Sequence, residues 1–255
     1  MTGGQLHQLG ITEVLLALVL VAISIGVARW WRIPVAKDMA LGSVRAFVQL
    51  IAVGYALKII FDLESLWLIA LSILIMITVG AHAASSRIKQ FRGSFPVTFA
   101  AMIAGSLFTL AVMLLLDIIP LEAPYVIPLA GMIISNSMNA SALAIDRLAS
   151  DIQSNKLAIE TSLSLGKSWR VAAGKFQRDA ATTGMISMLN FMKTVGIVAL
   201  PGAMTGMILA GAEPLQAVLL QVVVAYMLLS AVTITSIVAV ELTVRKFFTP
   251  FHQLR

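Results

Sequence analysis

Long apolar runs separated by short charged clusters organise this chain from end to end. About 20 mainly apolar residues are needed to cross the hydrocarbon core of a bilayer. Seven segments reach that length: Ile11 to Ala28, Ala40 to Phe61, Ser65 to Ala84, Pro96 to Leu116, Tyr125 to Ile145, Gly184 to Ala210 and Pro214 to Leu242. The pattern predicts an all-α, polytopic integral membrane protein with about seven transmembrane helices and a single transmembrane domain over residues 1–255. The longest stretch that water could hold, residues 146–183, lies between the fifth and sixth segments and is expected to be a cytoplasmic loop.

Charge then orients the spans. Arg29, Arg32 and Lys37 follow the first, Arg87, Lys89 and Arg92 the third, Arg147 to Arg178 the fifth, and Arg245, Lys246 and Arg255 the seventh. The alternate connections carry Asp62 and Glu64, Asp117 and Glu122, and Glu213. Under the positive-inside rule this alternation places the N-terminus outside and the C-terminus in the cytoplasm, as in a multi-pass protein of the cell inner membrane. Trp30, Trp31, Trp67 and Tyr125 fall at the expected interfaces, where amphipathic rings anchor. Residues 1–28 hold no Lys or Arg, so the first run lacks the basic flank of a cleavable leader and is expected to stay as a span. The short outer connections leave no room for a substrate-binding domain.

Composition agrees: of 255 residues 59% are hydrophobic and 12% charged, and a mean hydropathy of +0.95 lies beyond ordinary soluble domains. The net charge of +6 is spread between apolar runs rather than gathered in a patch, so it marks topology and membrane lipid, not nucleic acid. The absence of Cys excludes disulfides, thiolate metal sites and Cys nucleophiles. No internal repeat is visible, which argues against an inverted-repeat carrier.

Polar groups inside spans are costly and mark function. In the second segment Gly42, Arg45, Gln49, Ala52 and Ala56 form one small and polar stripe, and Arg45 either faces a lumen or snorkels to the inner headgroups. In the fifth, Ser135, Asn136, Ser137, Met138, Asn139 and Ser141 surround most of the helix, with Pro128 freeing a backbone carbonyl. Asn136 and Asn139 either line a path or bond to neighbouring helices. The sixth brings Ser187, Asn190, Lys193 and Thr194 onto one face, and then Pro201 as a kink or local unwinding. Gly202 and Gly206 follow as a GxxxG pattern suited to close helix contact. His82 and Met138 are candidate metal ligands, although a single His is more often an interface residue. No Asp or Glu lies deep in a span, so the inferred lumen is neutral to basic. Such a lumen disfavours a naked divalent cation and a proton-coupled carrier.

The segment Glu160 to Gly166 is a mildly amphipathic helix with Ile152, Ile159, Leu163 and Trp169 as an apolar face suited to a groove, closed by a glycine that lets the backbone turn. Gly166-Lys167-Ser168 imitates the end of a phosphate-binding loop, but position 161 is Thr where that loop needs Gly. No other nucleotide, hydrolase or zinc motif is present. The chain is therefore expected to bind no cofactor and to be no enzyme, any ATP being hydrolysed elsewhere.

Glu160 followed by Gly166 is similar to the EAA loop of ABC transporter permeases. More specifically, Lys193-Thr194-Val195-Gly196 through Leu200-Pro201-Gly202-Ala203-Met204-Thr205-Gly206 resembles the signature of the FetB family. The likeness extends to Arg45 with Gln49-Leu50, to Ile127 through Ile133 with Asn136 and Met138, to Leu163-Ser164-Leu165-Gly166 and to Gln221. Met207 stands where many members carry a polar residue. The resemblance implies the permease of a bacterial ABC exporter linked to iron, with plant relatives linked to aluminium tolerance. It would work as a homodimer with two ABC ATPase subunits that hold ATP and Mg. Docking would fall on Glu160, Leu163, Leu165 and Gly166, and hinge or packing roles on Pro128, Pro201, Gly202 and Gly206. The cargo, a metal ion or an anionic metal complex, would pass Arg45, Gln49, Asn136, Met138, Asn139, Asn190 and Lys193. The competing reading is a secondary transporter or channel that needs no ATPase.

Overall fold

The computed structural model describes residues 11–63, 65–91, 93–249, 251, 253 and 254. Among them the chain is helical almost throughout: α1 (Ile11–Trp30), α2 (Ala36–Leu63), α3 (Leu66–Arg87), α4 (Ser94–Leu115), α5 (Ala123–Ser154), α6 (Lys156–Ser164), α7 (Trp169–Thr194), α8 (Gly202–Leu209) and α9 (Pro214–Phe247). In hydrocarbon no water is available for backbone groups, so each crossing segment must satisfy its own N–H and C=O bonds, and a helix does this locally. Six helices, α1 to α5 and α9, are long and apolar enough to cross a membrane. The chain is a multi-pass, all-α membrane protein.

The helices fall into two compact units, residues 11–63 with 209–212 and residues 65–208 with 213–254. The first is the α1–α2 hairpin. Ile33 donates its N–H to the Ala28 carbonyl at 2.9 Å, Arg32 turns through a left-handed φ of 54°, and Pro34 has no N–H with which to continue a helix. None of the described residues of α2 is buried.

In the second unit α9, about 51 Å long at 1.5 Å per residue, packs on α4, α5 and α7, while α5 also packs on α3 and α4. Two glycines set how closely these helices approach. Gly105 of α4 abuts Thr235 and the Ala231 carbonyl of α9. A Cβ at Gly184 of α7 would lie 2.6 Å from Ser236 Oγ and 2.8 Å from the Ala140 carbonyl oxygen of α5. Without a hydrophobic drive between helices in lipid, such close backbone packing supplies the association.

Two segments show more detail than the sequence does. The connection 146–183 is mostly helix: α5 runs on to Ser154, α6 follows over the stretch expected to be an amphipathic helix, and α7 begins at Trp169. Leu148, Ile152, Ile159, Ala173 and Ala180 recur at helical spacing and bury themselves against Val240, Val244 and Phe248. Trp169 stacks on Phe248 with centroids 5.8 Å apart. Second, Gly184 to Ala210 is not one continuous helix. After Thr194 the backbone leaves the helix at Val195 (φ −62°, ψ 135°) and turns at Gly196 (φ 83°). The Thr194 carbonyl accepts N–H groups from both Ile197 at 3.2 Å and Val198 at 2.9 Å. Pro201 cannot donate and disfavours helix at Leu200, so α8 starts only beyond it.

Candidate functional site

Between α3, α5, α7 and α9 lies a cleft of about 280 Å³, lined by Arg87, Asn136, Asn139, Asp146 and Ser187 together with Leu143, Gly184, Met188 and Val232. Helical spacing puts residues 136, 139, 143 and 146 on one face of α5. Arg87 belongs to the last turn of α3, where a cation meets the negative end of the helix dipole. The close approach at Gly184 brings Ser187 of α7 to the same rim.

The polar groups of this cleft are incompletely used by the protein itself. Arg87 donates to Asn139 Oδ1 at 3.1 Å, which fixes that amide and leaves further guanidinium N–H groups. Asn136 donates Nδ2 to the Met132 carbonyl at 2.8 Å, leaving its oxygen. Asp146 accepts a backbone N–H from Lys89 at 3.4 Å. Ion pairs join Arg147 to Asp151, Lys156 to Glu160 and Arg245 to Glu241, whereas none joins Arg87 to Asp146. The cleft thus offers a guanidinium, two amides, a hydroxyl and one carboxylate.

Of the residues expected on a path, Asn136 and Asn139 meet here. Met138 is half-buried on another face of α5, and Asn190 and Lys193 stand exposed farther along α7. Arg45 and Gln49 are exposed on α2, in the other unit. Pro128 is exposed inside α5, and Pro201 is half-buried just before α8. A Cβ at Gly202 or Gly206 would meet nothing within 4 Å, so their small-residue face is not packed within the chain. His82 is exposed and meets Phe95 edge-on at 6.5 Å. Among the described residues no group of three or more His, Cys, Asp or Glu could hold a metal.

Arg87 and Asp146 escaped the sequence reading because residues at span ends look like topology markers. Their signal is that Asp146 shares a face of α5 with Asn136 and Asn139, and that Arg87 closes the span packed beside it.

The second candidate feature is α6. Ile159 is 1% exposed and packs inward, and Leu163 and Trp169 are partly buried against the same cluster. The apolar face expected to seat in a groove is therefore used by the chain itself. The outward face is Leu157, Glu160, Thr161 and Ser164, followed by Leu165. Leu157 and Leu165 are 78% and 73% exposed. Glu160 pairs only with Lys156 at 3.7 Å, an exposed pair of little energetic weight. Gly166, at φ 80°, turns the chain towards α7.

A bundle of membrane-crossing helices with a charged cleft set between them defines a multi-pass membrane transport protein. The chain belongs to the family described as Uncharacterised protein family (UPF0014), whose model matches residues 11–248. It is 38% identical over 240 residues to the UPF0014 membrane protein YjkA of Bacillus subtilis, covering 94% of this chain and 96% of that one. It is 37% identical over 251 residues to the probable iron export permease protein FetB of Escherichia coli, covering 97% and 96%. To the protein ALUMINUM SENSITIVE 3 of Arabidopsis thaliana it is 34% identical over 247 residues, covering 96% and 90%. No solved structure matches.

Proposed function

We propose that the chain is the permease subunit of an ABC exporter that moves iron, as an anionic complex, out of the cytoplasm, with ATP and Mg bound by a separate ATPase subunit. The observation that carries this reading is the outward face of α6. Two large apolar side chains, Leu157 and Leu165, are exposed around Glu160 on a short helix that is packed on the bundle by its Ile159 face. A helix in that position has a use for exposed leucines when another protein covers them. The chain has no nucleotide-binding motif, and the relative named an iron export permease supports the direction and cargo. Pairing two copies would present two such helices to two ATPase subunits; with α7 and α8 together making a seventh crossing, the N-terminus would lie outside and the C-terminus in the cytoplasm.

The connection from α6 to the cleft is direct. At one end Asn155 ties α6 to α5, donating its backbone N–H to the Asp151 carbonyl at 3.0 Å. At the other end Gly166 leads into α7. Force on α6 therefore enters the two helices that wall the cleft, through the buried cluster around Ile152, Ile159 and Ala173. Closure of an ATPase dimer would shift α5 against α7 and change access to Asn136, Asn139 and Ser187. Asn190 and Lys193 continue the path along α7, and Arg45 and Gln49 are proposed as polar positions of α2 that serve transport.

The cleft favours a chelate over a bare ion. A hard cation wants several negatively charged or neutral oxygen ligands, whereas among the cleft's polar groups the one carboxylate, Asp146, is offset by the positive charge of Arg87. Arg87→Gln should raise the half-saturating concentration of a carboxylate-bearing complex about tenfold, since hydrogen bonds to charged groups are worth about 1.5–3 kcal/mol. The deciding experiment is ATPase activity of the chain with its ATPase subunit in lipid, with free Fe(II) against iron citrate, and Glu160→Ala as the coupling control. Stimulation by the complex alone, lost in the variant, is the expected result. Continued transport with no ATPase subunit bound would make the chain a secondary carrier instead.

A further inference from the structure

The seam between α4 and α9 opens at its basic end into a crevice of about 460 Å³. Pro96, Val97 and Ala100 of α4 and Leu242 of α9 form its apolar wall, and Arg245 and Lys246 of α9 stand at its mouth. The two helices run antiparallel, since Gly105 meets Ala231 and Thr235 while Val97 shares a buried cluster with Ala239. The first turn of α4 therefore lies beside the last turns of α9. Leu242 ends the apolar run of its span, so the crevice sits where hydrocarbon gives way to headgroups.

Its electrostatics are one-sided. Among the described residues no carboxylate lines the crevice. Glu241 accepts from Arg245 Nε at 2.9 Å and Nη2 at 2.7 Å on a single oxygen, which leaves the other guanidinium nitrogen free to donate. Lys246 pairs with no described carboxylate. The positive end of the α4 dipole adds to the same field, and the helix start there, at Gly93, has no side-chain cap to offset it. The charged cleft differs in carrying Asp146 beside its Arg87. Two cations over an apolar wall, with no opposing charge, suit an anion that has a hydrocarbon tail.

We propose that this crevice holds one anionic phospholipid, with its phosphate at Arg245 and Lys246 and one acyl chain along Pro96, Ala100 and Leu242. The inference rests on the membrane fold and on neither the exporter reading nor its cargo. Basic pockets between membrane helices recognise anionic headgroups, and the stems of Lys and Arg lie along apolar surface while their charges stay at the interface. A soluble anion would leave the wall unused, and a metal cation would be repelled at the mouth. Beyond Ala100 the same face of α4 carries Ile103 and Leu107. Leu107 is exposed, so the acyl chain has an apolar track towards the bilayer centre.

The probe is phosphatidylglycerol against phosphatidylcholine, titrated into the purified full chain in detergent and counted by native mass spectrometry. The expected result is one phosphatidylglycerol per chain, preferred about thirtyfold over the zwitterionic lipid, because each cation near an anionic headgroup contributes about fivefold. Arg245→Gln/Lys246→Gln should bind the two lipids alike. Lys246→Gln alone, which removes no packing contact, should lose about fivefold and serves if the double variant misfolds. Ala100→Phe fills the crevice from an exposed position and should release the lipid with both cations intact. Arg29→Gln/Lys37→Gln, the same charge change on α1 and α2, should bind as the parent does. Equal binding of both lipids, an unchanged preference without Arg245 and Lys246, or full binding by Ala100→Phe would each overturn the proposal. So would an equal loss in the Arg29/Lys37 control, or glycerol phosphate binding as tightly as the lipid.

Discussion

Gly105→Val removes most of the folded protein. The added side chain must enter the seam between α4 and α9, where even the first carbon would press into Thr235 Oγ1 and stand 2.8 Å from the Ala231 carbonyl oxygen. The threonine can rotate away, but the carbonyl is helix backbone and cannot retreat unless α9 moves. Overpacking typically costs about 1–3 kcal/mol and more where the neighbour is rigid, a large share of the roughly 5–15 kcal/mol that holds a folded domain. The seam has little slack, since Ser106, Thr109 and Thr235 are already buried in it. The expected readout is a collapse of the monodisperse size-exclusion peak and a melting midpoint lowered by several degrees. Gly54→Val, on α2 where a Cβ meets nothing within 4 Å, leaves both unchanged. Adding Thr235→Ala to Gly105→Ala recovers only part of the loss, because the contact with Ala231 survives. Full recovery would show that the side chain, not the backbone approach, limits the seam.

The apolar runs made the class of protein legible because a bilayer demands both length and apolarity, and α1 to α5 and α9 satisfy both without help from neighbours. The sixth segment misled because hydropathy sees residues 195–201 as apolar, whereas Gly196 and Pro201 decide the backbone there. Charge marked residues 146–183 as a connection but hid how much of it is helix. Arg147, Lys156, Arg170, Lys175 and Arg178 dominate the stretch, yet the apolar residues between them fall on one face and find α9. The cleft was half legible. Asn136 and Asn139 stand out as polar groups within a span, but their partners Arg87 and Asp146 are ordinary span-end charges until α3 and α5 are packed together.

Leu157→Asp/Leu165→Asp abolishes coupling to the ATPase subunit while the chain still folds. Both side chains are largely exposed in the isolated subunit, so replacing them removes little contact within the chain and stability stays within about 0.5 kcal/mol. If α6 is the docking helix, the same change buries two carboxylates in an apolar groove. Hot-spot side chains contribute about 2 kcal/mol or more each, and an unpaired buried charge adds to that. The ATPase subunit should then fail to copurify, and stimulated ATP hydrolysis should fall by more than about a hundredfold. Ile159→Asp is the informative contrast. That residue belongs to the buried cluster that joins α5, α6, α7 and α9, so this variant should lose folded protein before it loses the partner. Normal copurification with the Leu157/Leu165 variant would move the docking surface off α6. The exposed Val171 on α7 would then be the next side chain to replace, and the force that opens the cleft would enter through α7 alone.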